Sequence, residues 1–290
     1  MYPSKVTLEP ILRDVRVQTT NMCNGKCICC PHRFTYAKEP PSVMSDHMWD
    51  LVVRRVQESS TITAVSFVLH YEPFTDPHLL RRITDIRDIG RWAVVITNGT
   101  LLTPDMINEV ADTKIDRLIV SLYTVDPLEY RRMTGGLELD RVIFTIMGLL
   151  NKGRNVELNV PLTAGTDLAR FSVLFPELAQ GKPSINTNWI DSRAGLVPFS
   201  AKGRFSTFRQ AKTYCAELFH GLNILWDGSI PVCCQDWTRQ SRIGHIETHS
   251  LDEIFYGRVG QDLRERFLTH DLPYPMCESC YDEFGYRQCV

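Results

Sequence analysis

No run of apolar residues in this 290-residue chain approaches the roughly 20 that a membrane-crossing helix needs. Charge of one sign is missing too. The 32 Lys and Arg residues nearly balance the 34 Asp and Glu residues, leaving a net charge of -2. No basic stripe is present, which argues against a dedicated nucleic-acid binder. Residues Met1 to Arg16 alternate charged and apolar side chains and lack the apolar core of a secretion signal. A cytoplasmic location is therefore expected. Low-complexity tracts and internal repeats are absent. The whole stretch between Cys30 and Cys215 lacks cysteine, although the chain contains ten. They gather instead into two groups, four between Cys23 and Cys30 and six between Cys215 and Cys289. Without a secretion signal, such groups read as metal sites rather than disulfides.

The length suggests one large domain and a smaller one. Runs rich in β-branched residues recur at Val15–Thr19, Ala64–Leu69, Ala93–Ile96, Leu118–Leu122, Val156–Leu162 and Ile185–Ile190. Helix-period segments separate them. Ser45 is a candidate N-cap, Asp76-Pro77 and Thr103-Pro104 are helix starts, and Leu139–Leu150 carries an apolar stripe. This alternation predicts an α/β fold with a parallel sheet. Six strand–helix units predict a partial barrel rather than a closed eight-stranded one, with functional loops at the strands' C-terminal ends. Residues 1–190 form this unit, 191–213 read as a linker, and 214–290 as a second domain. Within the latter, Leu222–Trp226, Asp227-Gly228 and Ile230–Val232 read as strand, turn and strand, followed by helical segments and a cysteine-bearing tail.

Directly after the first strand, Cys23, Cys27 and Cys30 have C-x3-C-x2-C spacing. A [4Fe–4S] cluster is usually held by four thiolates. Three thiolates on one loop leave one iron free to take the amino and carboxylate groups of S-adenosylmethionine. Zinc is the competing reading, with His32 as a fourth ligand. Cys29, between the ligands, reads as a small packing residue.

With that spacing in that place, residues 15–190 resemble the radical SAM superfamily. The resemblance implies a partial (β/α)6 barrel and a deoxyadenosyl radical formed by reductive cleavage of S-adenosylmethionine. His70-Tyr71-Glu72-Pro73 stands where the family usually has Gly-Gly-Glu-Pro, so Glu72 is expected at the cofactor's amino group, with both glycines replaced. Thr97-Asn98-Gly99 is similar to a turn in the family and brings Asn98 into the cofactor site. Ser121 stands where the ribose or carboxylate is often contacted; a strand-end serine bonded to backbone is the alternative. Arg193, in Ser192-Arg193-Ala194-Gly195, resembles an Arg-Ala-Gly segment of one branch; a salt-bridged surface arginine is its alternative.

In the second group, Cys215, Cys233, Cys277 and Cys280 suffice for a fully ligated second [4Fe–4S] cluster or, equally on spacing, for a structural zinc. Cys-x12-Gly-x4-Cys followed by Cys-x2-Cys is similar to the SPASM/twitch auxiliary-cluster extension, and the single-cluster twitch form matches better. Cys234, following a ligand on an extended segment, is expected to point the other way. Cys234 and Cys289 remain candidate hydrogen-atom donors.

The resemblance implies a radical SAM oxidoreductase or epimerase. The expected reaction is dehydrogenation or epimerisation of a sugar-like or other small metabolite, with flavodoxin or ferredoxin as electron donor. Peptide modification is the runner-up; peptide-modifying relatives often carry an N-terminal leader-recognition domain, and the first strand here begins by Val15. A non-catalytic zinc-binding scaffold is the alternative of another class.

Overall fold

In the computed structural model, residues 9–163, 166–176, 183–197 and 215–284 are described. The β-branched runs fold as strands because their apolar side chains cover the buried face of a sheet. Val15 and Val17 in β1 (Asp14–Val17) are fully buried. After α1 (Asp46–Glu58), Val65 and Phe67 repeat this in β2 (Ala64–Phe67). After α2 (Leu79–Asp88), Ala93 and Val95 do so in β3 (Trp92–Thr97). Then follow α3 (Pro104–Asp112), β4 (Arg117–Ser121), α4 (Pro127–Thr134), α5 (Leu139–Asn151), β5 (Glu157–Leu162), α6 (Ala169–Leu174) and β6 (Ser184–Trp189). The register aligns Val17, Phe67 and Val95 across three strands, forming one apolar layer against the helices. The opposite face of β1 carries Asp14 and Arg16, and Ser66 of β2 donates to Asp14 at 2.7 Å.

Local signals place the helices. Ser45 accepts from Met48 N at 3.2 Å and Thr103 from Met106 N at 3.3 Å, so the expected N-cap at Ser45 and the expected helix start at Thr103-Pro104 both form. α1 buries Trp49, Val52 and Val56 at helical spacing. Asp76 accepts from His78 N at 2.9 Å and pairs with Arg82 at 2.8 Å, both side chains fully buried.

One further helix and three strands, α7 (Ala216–His220), β7 (Gly221–Ile224), β8 (Ser229–Pro231) and β9 (Arg242–His245), precede α8 (Leu251–Tyr256), α9 (Arg258–Leu268) and α10 (Pro275–Phe284). Here the structure departs from the expected β-ribbon. β7 lies parallel to β1, with Val15 opposite Leu222 and Val17 opposite Ile224, so its apolar residues extend the buried layer. β8 pairs instead with β9, antiparallel. The turn between β7 and β8 does form: Leu225 N donates to Ser229 O at 2.9 Å and Gly228 has φ +82°. The result is an open, all-parallel sheet of seven strands, ordered β6-β5-β4-β3-β2-β1-β7, with β6 and β7 at its edges. No helix among the described residues is long and apolar enough to cross a membrane. Residues 198–213 of the expected linker, residue 214 and Cys289 lie outside the described residues.

Candidate functional site

The cysteine loop leaves β1 at the C-terminal end of the sheet and is tied down along its length. Asn21 Nδ2 donates to Pro40 O at 2.9 Å, and Ser42 N returns a bond to Asn21 Oδ1 at 2.8 Å. Asn24 Nδ2 donates to Thr100 Oγ1 at 2.9 Å. Lys26 N and Ile28 N donate to Thr134 O and Met133 O, at 3.0 and 2.9 Å, at the end of α4. Gly135 terminates that helix in the left-handed region, φ +68°, and a Cβ there would meet Lys26 O at 2.3 Å. A Cβ on Gly25 would lie 3.7 and 3.5 Å from the sulfurs of Cys23 and Cys27, so both thiols flank this glycine.

Cys23, Cys27 and Cys30 are half-buried. Burial pushes the Cys23 thiol up to about 12 and Cys30 to about 11, and Cys27 well above its ordinary value. Repulsion from the Cys29, Cys30 and Cys23 sulfurs adds to the effect at Cys27. Such a set ionises when a metal supplies positive charge, as iron–sulfur ligation does. Cys29 is buried in an apolar cluster with Met133 and Ile190, its sulfur 3.5 Å from Tyr123 Oη. His32, the alternative zinc ligand, is buried with Nε2 against Asn21 O at 2.9 Å.

The loops after β2 and β3 meet beside these cysteines. Glu72 is buried, and its carboxylate accepts from Phe74 N at 3.2 Å, Thr97 Oγ1 at 2.6 Å and Asn98 N at 2.7 Å. Burial nonetheless pushes it up to about 7. Asn98 Nδ2 donates to Asn24 Oδ1 at 2.8 Å, while its Oδ1 accepts from Thr100 N and Oγ1. Glu72 and Asn98 are thus joined to each other, and Asn98 to the cysteine loop. Ser121 ends β4, half-buried, in register with Asn159. Arg193 has φ +50°, followed by Ala194 at +55° and Gly195 at +84°. Its Nε lies 3.4 Å from Asp191, and its charge acts on Cys29 and Cys30.

The two residues that replace glycines are structural. Tyr71 Oη donates to Val17 O at 3.1 Å. His70 is buried between Tyr36 Oη, 2.8 Å from Nδ1, and Cys234 O, 2.7 Å from Nε2. Its ring stacks on Trp237 at 3.8 Å.

Cys215, Cys233, Cys277 and Cys280 line one cavity together with Glu217 and Phe267. Cys277 and Cys280, three apart on α10, share a helix face. Burial pushes Cys215 up to about 12 and Cys277 to about 11. A four-thiol cavity has the donor set an iron–sulfur cluster requires. The expectation for Cys234 is corrected: the chain turns at Cys234-Gln235, and the sulfurs of Cys233 and Cys234 lie with a Glu217 oxygen within 4.8 Å of one another. Strand alternation does not apply within a turn.

Several residues escaped the sequence reading. Arg16 and Glu217 pair beside Cys233 and Cys234. Tyr123 and Met133 pack under the first cysteine loop. Neither contact carries a local sequence signal, whereas the Gly135-Gly136 helix stop beneath the same loop does. Between the segment after Arg193 and the segment after Cys234 lies a cleft lined by Ala194, Gln235, Thr238, Gln240, Tyr274 and Ser279. Asp236, also there, has its carboxylate occupied by Ser241 N and Oγ at 2.7 and 2.6 Å and by Gln240 N at 3.1 Å.

The sequence model of the radical SAM superfamily matches residues 17–170, and that of an iron–sulfur cluster-binding domain, SPASM, matches residues 215–281. A probable GTP 3',8-cyclase of Metallosphaera sedula is 31% identical over 153 residues, covering 52% of this chain and 47% of that protein. Another, from Methanopyrus kandleri, is 33% identical over 172 residues, covering 58% and 53%. The chain spans about half the length of the curated relatives it matches. BtrN in complex with AdoMet and 2-DOIA superposes with a TM-score of 0.63 at 14% identity, with 93% of each chain covered. Streptococcus suis SuiB bound to the precursor peptide SuiA gives 0.72 at 15% identity, covering 88% of this chain and 67% of that one. At such identities the likeness is one of fold.

Proposed function

The chain belongs to the radical SAM superfamily, with S-adenosylmethionine and iron–sulfur clusters as its cofactors, and from that premise we propose that it dehydrogenates or epimerises a carbon centre of a small hydroxylated metabolite. Cys23, Cys27 and Cys30 hold the cluster that binds S-adenosylmethionine, and Cys215, Cys233, Cys277 and Cys280 hold an auxiliary one. When bound, the first cluster supplies the electron that cleaves the sulfonium to a hydrogen-abstracting deoxyadenosyl radical.

The protein's own contribution is to orient and to shield. Glu72, bonded to Asn98 N, holds the loops after β2 and β3 together beside the thiols. Arg193 faces the same loop and suits the cofactor's carboxylate. The observation that carries the substrate class is the cleft between Ala194 and Gln235. Its polar groups are amides and hydroxyls set beside the apolar Leu196, Pro275 and Met276, and the carboxylate of Asp236 is occupied internally. Such a lining favours a neutral polyol over a charged substrate. The GTP 3',8-cyclase relatives match only about half their length, so their substrate is not carried over.

Anaerobic reconstitution followed by iron counting tests this reading. About eight irons and a brown protein are expected, corresponding to two [4Fe–4S] clusters. Replacement of Cys23, Cys27 and Cys30 by Ser is expected to abolish deoxyadenosine formation; turnover surviving that triple change overturns the proposal. With a substrate in deuterated solvent, label at one product carbon indicates a thiol donor and epimerisation. An unlabelled two-electron-oxidised product indicates dehydrogenation.

A further inference from the structure

His70 touches three parts of the chain that sequence separates widely. Tyr36 follows the first cysteine loop, His70 itself sits two residues before Glu72, and Cys234 follows Cys233. The carbonyl of Cys234 only accepts, so the proton of the bond at 2.7 Å belongs to His70 Nε2. Nδ1 is then the bare nitrogen, and Tyr36 O–H donates to it at 2.8 Å. The partners therefore fix one neutral tautomer. The backbone is bent to present this ring: Leu69 has φ +132°, a region strained for a side chain of its size. Trp237, stacked at 3.8 Å, and Tyr36, with ring centroid at 5.3 Å, enclose it. Burial also keeps the imidazole neutral, with its proton affinity lowered to about 4.

We propose that His70 is a positioning residue for the auxiliary site: its Nε2–H holds the Cys234 carbonyl, and so pins the Cys233-Cys234 turn against the loop that carries Glu72. This rests on the reading of Cys233 as an auxiliary-cluster ligand. A glycine at position 70 offers no such bond, which gives the departure from Gly-Gly-Glu-Pro a physical role. Supports of this kind, one residue removed from a metal ligand, fix the geometry and retention of the centre.

The test uses the reconstituted holoprotein and electron paramagnetic resonance after reduction. Added S-adenosylmethionine perturbs the signal of the first cluster and identifies the other as auxiliary. His70→Asn keeps a group near Tyr36 but cannot reach the Cys234 carbonyl. It is expected to shift the auxiliary signal and to speed loss of that cluster to a chelator about tenfold, with the S-adenosylmethionine-responsive signal unchanged. His70→Gln places an N–H near the position of Nε2 and is expected to restore both readouts. Tyr36→Phe preserves packing but releases the tautomer; it is expected to shift the same signal by less, and it serves if His70→Asn does not fold. An auxiliary signal and retention unchanged in His70→Asn, or in Tyr36→Phe where His70→Asn does not fold, overturn the inference. So does His70→Gln moving as far as His70→Asn. A wild type with only the S-adenosylmethionine-responsive signal instead overturns the auxiliary-cluster reading, and the inference with it.

Discussion

Arg16 and Glu217 lie 201 positions apart in sequence, yet Nη1 of the arginine stands 2.7 and 2.6 Å from the two carboxylate oxygens. The pair links the polar face of β1 to α7, the helix that follows Cys215. Arg16 also pairs with Asp14 at 3.2 Å, and Asn223 Nδ2 donates to Glu217 at 3.2 Å. Arg16→Met leaves the Glu217 carboxylate, largely buried, without its counter-charge beside two thiols. A stability loss of about 2 kcal/mol is expected, as for a charged hydrogen bond. Auxiliary iron is also expected to fall while the S-adenosylmethionine-responsive signal persists. Chemical denaturation and cluster-resolved spin counting check both.

Asp76 and Arg82 form an ion pair with neither side chain exposed, and Arg82 Nη2 also donates to Met44 O at 2.5 Å. Removing one partner strands a buried charge. Asp76→Ala is expected to cost about 3–5 kcal/mol, read as a large drop in the urea midpoint. Replacing both residues by apolar ones of similar volume is expected to cost markedly less.

Two buried groups respond to pH in opposite senses. His70 is lowered to about 4 by burial, so its contribution is full above about 6.5 and is lost as pH falls through 4. Glu72 is raised to about 7 by burial, so its contribution is full below about 4.5 and is lost as pH rises through 7. Each amounts to about 3 kcal/mol at most, and between about pH 4.5 and 6.5 they oppose each other. Glu72→Gln is therefore expected to make stability rise with pH across that window, and His70→Asn to make it fall. Thermal midpoints measured at half-unit steps read the two slopes.

Gly135 touches the first cysteine loop through Lys26 O and needs a left-handed backbone. Gly135→Ala is expected to cost about 1–2 kcal/mol from backbone strain alone and to push the loop away from α4. The S-adenosylmethionine-responsive signal should weaken while the auxiliary signal stays. Gly136 also has positive φ but no neighbour within 4 Å of a Cβ, so Gly136→Ala is the control for strain without displacement.

The six strands of the main unit are legible in the sequence because each pairs with its sequence neighbour and β1 to β5 bury apolar residues. Val15, Val65 and Ala93 are the pattern in one register row. β7 is not legible in that way. Asp227-Gly228 is the strongest local signal nearby and points to a hairpin, whereas pairing Leu222 with Val15 depends on a partner some two hundred residues away. The first three cysteines are readable because all lie on one short loop. Cys234 was misjudged because alternation assumes extended chain and the backbone turns there. His70, Arg16 and Glu217 carry no spacing signal at all, since their partners come from remote segments.

The first cysteine loop is bonded to Pro40 and Ser42, to Thr100 and to the end of α4 entirely by protein groups. Those bonds fix the loop's backbone through the protein itself, so much of its ordering cost falls on folding rather than on metal binding. Unlike a zinc finger, which unfolds once stripped, the protein is expected to keep this loop in place after loss of its iron, and to take up fresh iron and sulfide without a second round of folding.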